Sequence, residues 1–104
     1  YLTATLYLNL GTYMGNNYEA AVITARNAQR DYPYTKYRED LGYVIFKARY
    51  EAAEYSVDDK KEDRLREAYD EYYTFSTEFP DGKYTKEVNK LFEKINKQLE
   101  KYEE

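Results

Sequence analysis

The side chains of this sequence that could most readily bind a metal or take part in catalysis are the acidic pairs at 58–59 and 62–63 and the hydroxyls of Ser56 and Ser76. Neighbouring carboxylates attract calcium, but this stretch lacks the alternating oxygen ligands of an EF-hand loop. A serine nucleophile needs an adjacent base, and the chain has no histidine and no cysteine. We therefore expect no enzyme, no metal and no cofactor, and we assign the acids to solvation and to a helix start.

The overall charge is acidic and unevenly distributed. The chain has 16 basic and 20 acidic residues, and its net charge of −4 comes entirely from residues 56–104. Phosphate backbones are bound by a clustered excess of Lys and Arg, and since no such excess is evident, we do not expect nucleic acid as a partner. The sequence contains no run of 18 apolar residues, so we predict no membrane span. The 15 tyrosines suit cores and interfaces alike.

Two prolines, Pro33 and Pro80, organise the chain and lie 47 residues apart. Each is followed by a Lys-Tyr pair, at 36–37 and 83–84. The apolar residues around both prolines have the spacing of one face of an α-helix. The stripes before the prolines are Tyr18, Ala21, Val22, Ala25, Ala28, Tyr32 and Leu65, Ala68, Tyr69, Tyr72, Phe75, Phe79. Those after them are Leu41, Val44, Ile45, Ala48, Ala52 and Val88, Leu91, Phe92, Ile95, Leu99.

These patterns predict an all-α fold. We expect one domain over 1–104 with five helices, at about 1–14, 17–31, 36–55, 58–78 and 84–102. Each proline ends the helix before it, and Ser56 with Asp59 resembles a capping box. A single helical hairpin cannot bury the apolar stripe of each of its helices, but stacked hairpins can. We therefore predict an α-solenoid of two and a half antiparallel hairpins, with a compact bundle as the alternative.

Two sets of residues are spaced like the Y-x-x-A, A and P positions of a tetratricopeptide repeat: Tyr18, Ala21, Ala28, Pro33 and, in part, Leu65, Ala68, Pro80. A closer resemblance rests on three segments: 30–37 (RDYPYTKY), the charged insertion 56–64, and 79–84 (FPDGKY). Over about residues 17–100, the chain resembles the C-terminal half of the BamD family of outer-membrane β-barrel assembly lipoproteins. The likeness is to the tyrosine- and lysine-rich members from Bacteroides-like bacteria.

This resemblance implies a scaffold at the periplasmic face of the outer membrane, in contact with the POTRA domains of a barrel-forming partner. It implies a lipid anchor on a cysteine that this chain lacks, so we expect the chain to be part of a longer protein. The alternative is a periplasmic tetratricopeptide adaptor, similar to the Tol-Pal coordinator, that binds peptide segments. The charged insertion favours the barrel-assembly family.

The helix predicted at 36–55 carries the main candidate site. If its apolar stripe packs inward, the positions left for a partner groove are Glu39, Gly42, Phe46, Arg49 and Tyr50. Phe46 and Tyr50 are predicted to anchor a partner segment, with Arg49 as a directed charge. The other interpretation, that both rings pack against a neighbouring repeat, stays open. Tyr43 is expected in the core.

The two end helices carry the remaining candidates. The helix predicted at 84–102 has a polar face, on which Glu93 and Lys97 have the spacing of an ion pair, and we expect it to cap the solenoid. The helix predicted at 1–14 is apolar around nearly its whole circumference and includes Tyr13. Such a helix is expected to be covered on all sides, either by a preceding repeat or by a partner.

Overall fold

The computed structural model describes residue 4 and residues 17–103. This part of the chain has four α-helices: α1 (Asn17–Asp31), α2 (Arg38–Glu54), α3 (Asp58–Glu78) and α4 (Thr85–Leu99), followed by a 3-10 turn (Glu100–Tyr102). The described residues contain no strand, which confirms the all-α class. Counting the 3-10 turn, the helices begin and end within two residues of the predicted bounds. The helix predicted at 1–14 lies outside the described residues.

Ion pairs near the two ends of α2 show the direction of α3. Arg38, at the start of α2, pairs with Glu78 at the end of α3. Arg49, near the end of α2, lies 3.1 Å from Glu67 in the first half of α3. The two helices are therefore antiparallel.

Two further contacts show that α4 runs parallel to α2. The Tyr84 hydroxyl, just before α4, donates to Asp40 near the start of α2 at 2.6 Å. At the other end, the amide of Gln98 donates to Glu54 at 3.2 Å. Alternate helices thus point the same way, and α2 meets α3 on one part of its surface and α4 on another.

Helix α2 lies at the centre of the described fold because it contributes to two separate core clusters. The first lies against α1 and contains Ala4, Tyr18, Ala21, Val22, Ala25, Leu41, Val44, Ile45 and Ala48. The second lies against α3 and α4 and contains Phe46, Tyr50, Ala53, Leu65, Ala68, Phe75, Val88, Leu91, Ile95 and Leu99. A helix covered in this way is apolar on more than one face.

The two helix seams are built from side chains of different size. The α1–α2 seam includes Ala21, Ala25 and Ala48, all fully buried. Small side chains let helix backbones approach closely. The α3–α4 seam includes the stacked rings of Tyr72 and Phe92, whose centroids are 3.7 Å apart with planes inclined by 8°. The α1–α2 seam thus includes several small side chains, and the α3–α4 seam includes stacked aromatic rings.

Gly42 explains how α3 comes close to α2. A Cβ at this position would lie 3.2 Å from Cδ2 of Phe75 and 3.3 Å from Cε2 of Phe79. Because these separations are tighter than ordinary van der Waals contact, the phenylalanine rings occupy the space that a side chain would need. The absence of a side chain at residue 42 is thus used in packing.

Two local expectations are wrong. The Ser56 hydroxyl donates to the carbonyl of Ala53 at 3.1 Å, at the end of α2, and α3 begins after Val57 with no side-chain cap. Ser56 therefore ends one helix instead of starting the next. Tyr32, expected in the buried stripe, has 68% of its surface exposed and lies in the loop after α1, whereas Phe79, at the equivalent position after α3, packs against the second cluster.

We predict that Phe46→Ala lowers the free energy of unfolding by about 3–5 kcal/mol, because it removes a fully buried ring and leaves a cavity among three helices. Urea denaturation measures the change. Tyr34→Ala is the control, because Tyr34 is 97% exposed and such substitutions stay within about 0.5 kcal/mol. Equal stability of the two variants would contradict the described core.

Candidate interaction surfaces

The expectation that Phe46 and Tyr50 face an open groove is wrong. Phe46 is fully buried and Tyr50 is 9% exposed, and both belong to the cluster with α3 and α4. The Phe46 ring meets Tyr72 of α3 edge-on, with centroids 6.4 Å apart. The face of α2 that we predicted to bind a partner is therefore covered by α3 and α4 of the same chain.

The other positions assigned to the groove also make contacts within the chain. Glu39 accepts a hydrogen bond from the backbone N–H of Tyr84 at 3.1 Å, and Gly42 lies beneath the rings of α3. Tyr43, expected in the core, is partly buried and stacks on Tyr84 with centroids 4.1 Å apart. This face of α2 is an interhelical interface.

Arg49 serves as a bridge between helices, which corrects its assignment as a charge directed at a partner. One guanidinium nitrogen lies 3.0 Å from Glu19 of α1 and 3.1 Å from Glu67 of α3. Both carboxylates are more than half exposed, so each pair contributes at most about 1 kcal/mol. Arg49 joins the two helices on either side of α2.

Glu93 and Lys97 lie on the exposed surface of α4, on the side away from its buried residues. The expected pair between them is not formed, since the salt bridges of the described residues do not include it. Both side chains are accessible to a partner. Tyr13, the candidate on the helix predicted at 1–14, lies outside the described residues.

A polar contact joins the start of α2 to the loop before α4, and we call it the lock (Asp40, Lys83 and Tyr84). Asp40 is 4% exposed, and one of its carboxylate oxygens lies 2.6 Å from the Tyr84 hydroxyl and 2.9 Å from the Lys83 ammonium. The repeated Lys-Tyr pair was recognised in the sequence, but its acceptor, Asp40, was not predicted. The feature that could have identified the acceptor is an acid at residue 40 next to an apolar stripe.

The lock keeps Asp40 ionised. Burial raises the pKa of Asp40, but the hydrogen bonds from Tyr84 and Lys83 and the charge of Lys83 lower it, and the net pKa is below the ordinary value of 3.8. Because the folded pKa is below the unfolded one, Asp40 stabilises the fold fully above the unfolded pKa. That stabilisation is lost as the pH falls through the folded pKa.

The most exposed aromatic residues lie in the tyrosine loop (residues 32–37), between α1 and α2. Tyr32 and Tyr34 expose 68% and 97% of their surface. Hydrogen bonds hold the loop in shape: the Thr35 N–H donates to the Tyr32 carbonyl at 3.1 Å, and the Arg38 guanidinium donates to the Pro33 carbonyl at 2.6 Å. The loop therefore presents two large rings to solvent on a fixed backbone, a feature that sequence reasoning missed because it placed Tyr32 in the core.

Comparison of the chain with protein-family models, with curated proteins and with solved structures gives no match. Among the described helices, none has both the length and the apolar character that crossing a bilayer requires.

We predict that Asp40→Asn lowers the free energy of unfolding at neutral pH by about 1–3 kcal/mol, because it weakens the interactions with Lys83 and Tyr84. Below about pH 4 the wild type should lose stability more steeply than the variant, since Asp40 is then being protonated only in the wild type. Urea titrations across acidic pH measure both effects. Asp63→Asn on the exposed face of α3 is the matched control, and an equal acid response in all three proteins would refute the role of the lock.

Proposed function

We propose that this chain is a non-enzymatic protein–protein interaction scaffold of the tetratricopeptide type, resembling the BamD component of the outer-membrane β-barrel assembly machinery. On this proposal the chain acts at the periplasmic face of the outer membrane and contacts a POTRA-bearing partner. Any membrane attachment is through a lipid anchor outside these 104 residues.

The observation that supports this proposal best is that buried positions recur at the 47-residue offset. The pairs buried at both members are Tyr18/Leu65, Ala21/Ala68, Leu41/Val88, Val44/Leu91 and Ala48/Ile95. The first member of each pair lies in the cluster against α1 and the second in the cluster against α3 and α4, so corresponding stripes are each buried against a neighbouring helix, as in stacked repeats. Proteins built in this way present long surfaces that bind other proteins.

The tyrosine loop is the surface that we assign to the partner. Tyr32 and Tyr34 combine high exposure with a backbone held by hydrogen bonds. Tyrosine supplies a large contact area and a polar tip, and it is enriched in protein interfaces. Loops fixed on a helical scaffold commonly carry binding residues.

The burial of Phe46 and Tyr50 removes the anchors that the sequence suggested for a partner segment. Both the assembly subunit and the peptide adaptor were expected to use these two rings. Because both rings pack inside the chain, either function requires another surface, and the peptide adaptor stays as the alternative.

We predict that the double variant Tyr32→Ala/Tyr34→Ala reduces co-purification with the POTRA-bearing subunit from the same genome by about tenfold or more, because exposed aromatic rings are frequent hot spots. Affinity capture with purified components measures the effect. Circular dichroism should show unchanged helix content, since both residues lie outside the helices.

The matched control is Tyr55→Ala/Val57→Ala, which removes side chains that are 64% and 66% exposed and lie at the other end of α2. This control should retain the partner. If it loses the partner while the loop variant keeps it, the contact lies at the α2–α3 end and our assignment of the loop is wrong. If the wild type does not bind the POTRA-bearing subunit, the proposed function is wrong.

A further inference from the structure

Helix α4 carries a row of lysines that charge counts over the whole sequence do not reveal. The lysine row consists of Lys86, Lys90, Lys94 and Lys97, all exposed and spaced by 4, 4 and 3 residues. At 100° per residue this spacing places them on one side of the helix, over a length of about 16 Å. The opposite side is buried and includes Val88, Leu91, Ile95 and Leu99.

The four lysines of the lysine row form no salt bridge with any carboxylate of the described residues. Lys47 and Lys83, in contrast, lie 3.5 and 2.9 Å from carboxylates at the contact between α2 and α4. Since like charges at this helical spacing repel, the row has unused capacity for an acidic ligand.

The repeat indicates what kind of ligand this face receives. Lys90 and Lys94 are 47 residues after Tyr43 and Lys47 of α2. On α2, the Tyr43 hydroxyl and the Lys47 ammonium both contact the carboxylate of Glu87, which belongs to the helix lying parallel to α2. The same face of α2 therefore holds a helix through a carboxylate, and α4 offers two ammonium groups at the equivalent positions.

We propose that the lysine row is a docking site for an acidic helix of a partner protein, which lies along the exposed side of α4 and is held there by its carboxylates. Its carboxylates recur every three or four residues along one side and face Lys86, Lys90, Lys94 and Lys97. This inference rests on the proposed scaffold function and identifies a second contact of that scaffold with a defined partner chemistry.

The acids beside the row favour a helix over a broader anionic surface. By helical geometry Glu87 flanks the row on one side, and Glu93 and Glu100 flank it on the other. These carboxylates repel a planar anionic bilayer as it approaches, which offsets the attraction of the lysines. A single line of carboxylates on a narrow helix can reach the lysines between them.

The test uses the full chain and two synthetic helical peptides of identical composition. One peptide carries glutamates at spacings of 4, 4 and 3 on a single face, and the other distributes the same glutamates around the helix. Fluorescence anisotropy at low ionic strength should show about tenfold tighter binding of the first peptide. The variant K86Q/K90Q/K94Q/K97Q should lose this preference while its melting temperature does not fall.

The matched control is K36Q/K60Q/K61Q/R64Q, which removes the same charge from positions outside α4 and should keep the preference within about threefold. Equal binding of both peptides, or an equal loss in the control, would show that binding depends on the total charge of the protein and not on the lysine row. Either result would overturn the proposal. Row-dependent binding to vesicles of phosphatidylethanolamine and phosphatidylglycerol in equal parts, stronger than to the first peptide, would assign the row to a membrane. Row-dependent self-association by sedimentation would assign it to a second copy, and either result overturns the proposal.

The two proposals fail separately. If the first peptide binds through the lysine row but the POTRA-bearing subunit is not captured, the scaffold's assigned partner is wrong and the docking site stands. If capture depends on Tyr32 and Tyr34 while both peptides bind equally, the scaffold function stands and the acidic-helix site is wrong.

Discussion

The burial of α2 on several sides is the constraint on which the rest of the described structure depends. Full burial of a large apolar side chain contributes about 1.5–3 kcal/mol relative to exposure. Phe46 gains this only when α3 and α4 cover it, and Leu41 only when α1 does. The outer helices are therefore held to the middle one by burial, and the polar groups of α2 must find partners on those helices.

The polar groups that α2 retains are matched to the neighbouring helices and help to fix how those helices align. Asp40 is nearly inaccessible, and it is stable as a carboxylate because Lys83 and Tyr84 come to it from the loop before α4. A buried acid without such donors would cost several kcal/mol. Arg49 connects α1 with α3 through exposed carboxylates, so its contribution lies more in positioning than in stability.

The helices were predictable because their apolar spacing and the prolines at 33 and 80 are local signals. What covers a second apolar face was not predictable: Phe46 and Tyr50 have the same spacing whether a partner or the chain's own hairpin covers them. Tyr32 and Phe79 hold equivalent places in the two stripes, each one residue past a helix end, yet only Phe79 packs against a core cluster. The lysine row is visible in the sequence, but summing charge over half the chain hides it, because the acids of residues 56–104 outnumber its lysines.

The contrast between the alanine seam and the aromatic seam has a consequence for how this chain tolerates change during evolution. At the α1–α2 seam, Ala21, Ala25 and Ala48 are fully buried, so a larger side chain at any of them would overpack the core, which favours small residues there. At the α3–α4 seam, the Tyr72 and Phe92 rings lie partly at the surface and one can shrink as the other shifts. Relatives of this chain should therefore share the small residues of the first seam and vary the rings of the second.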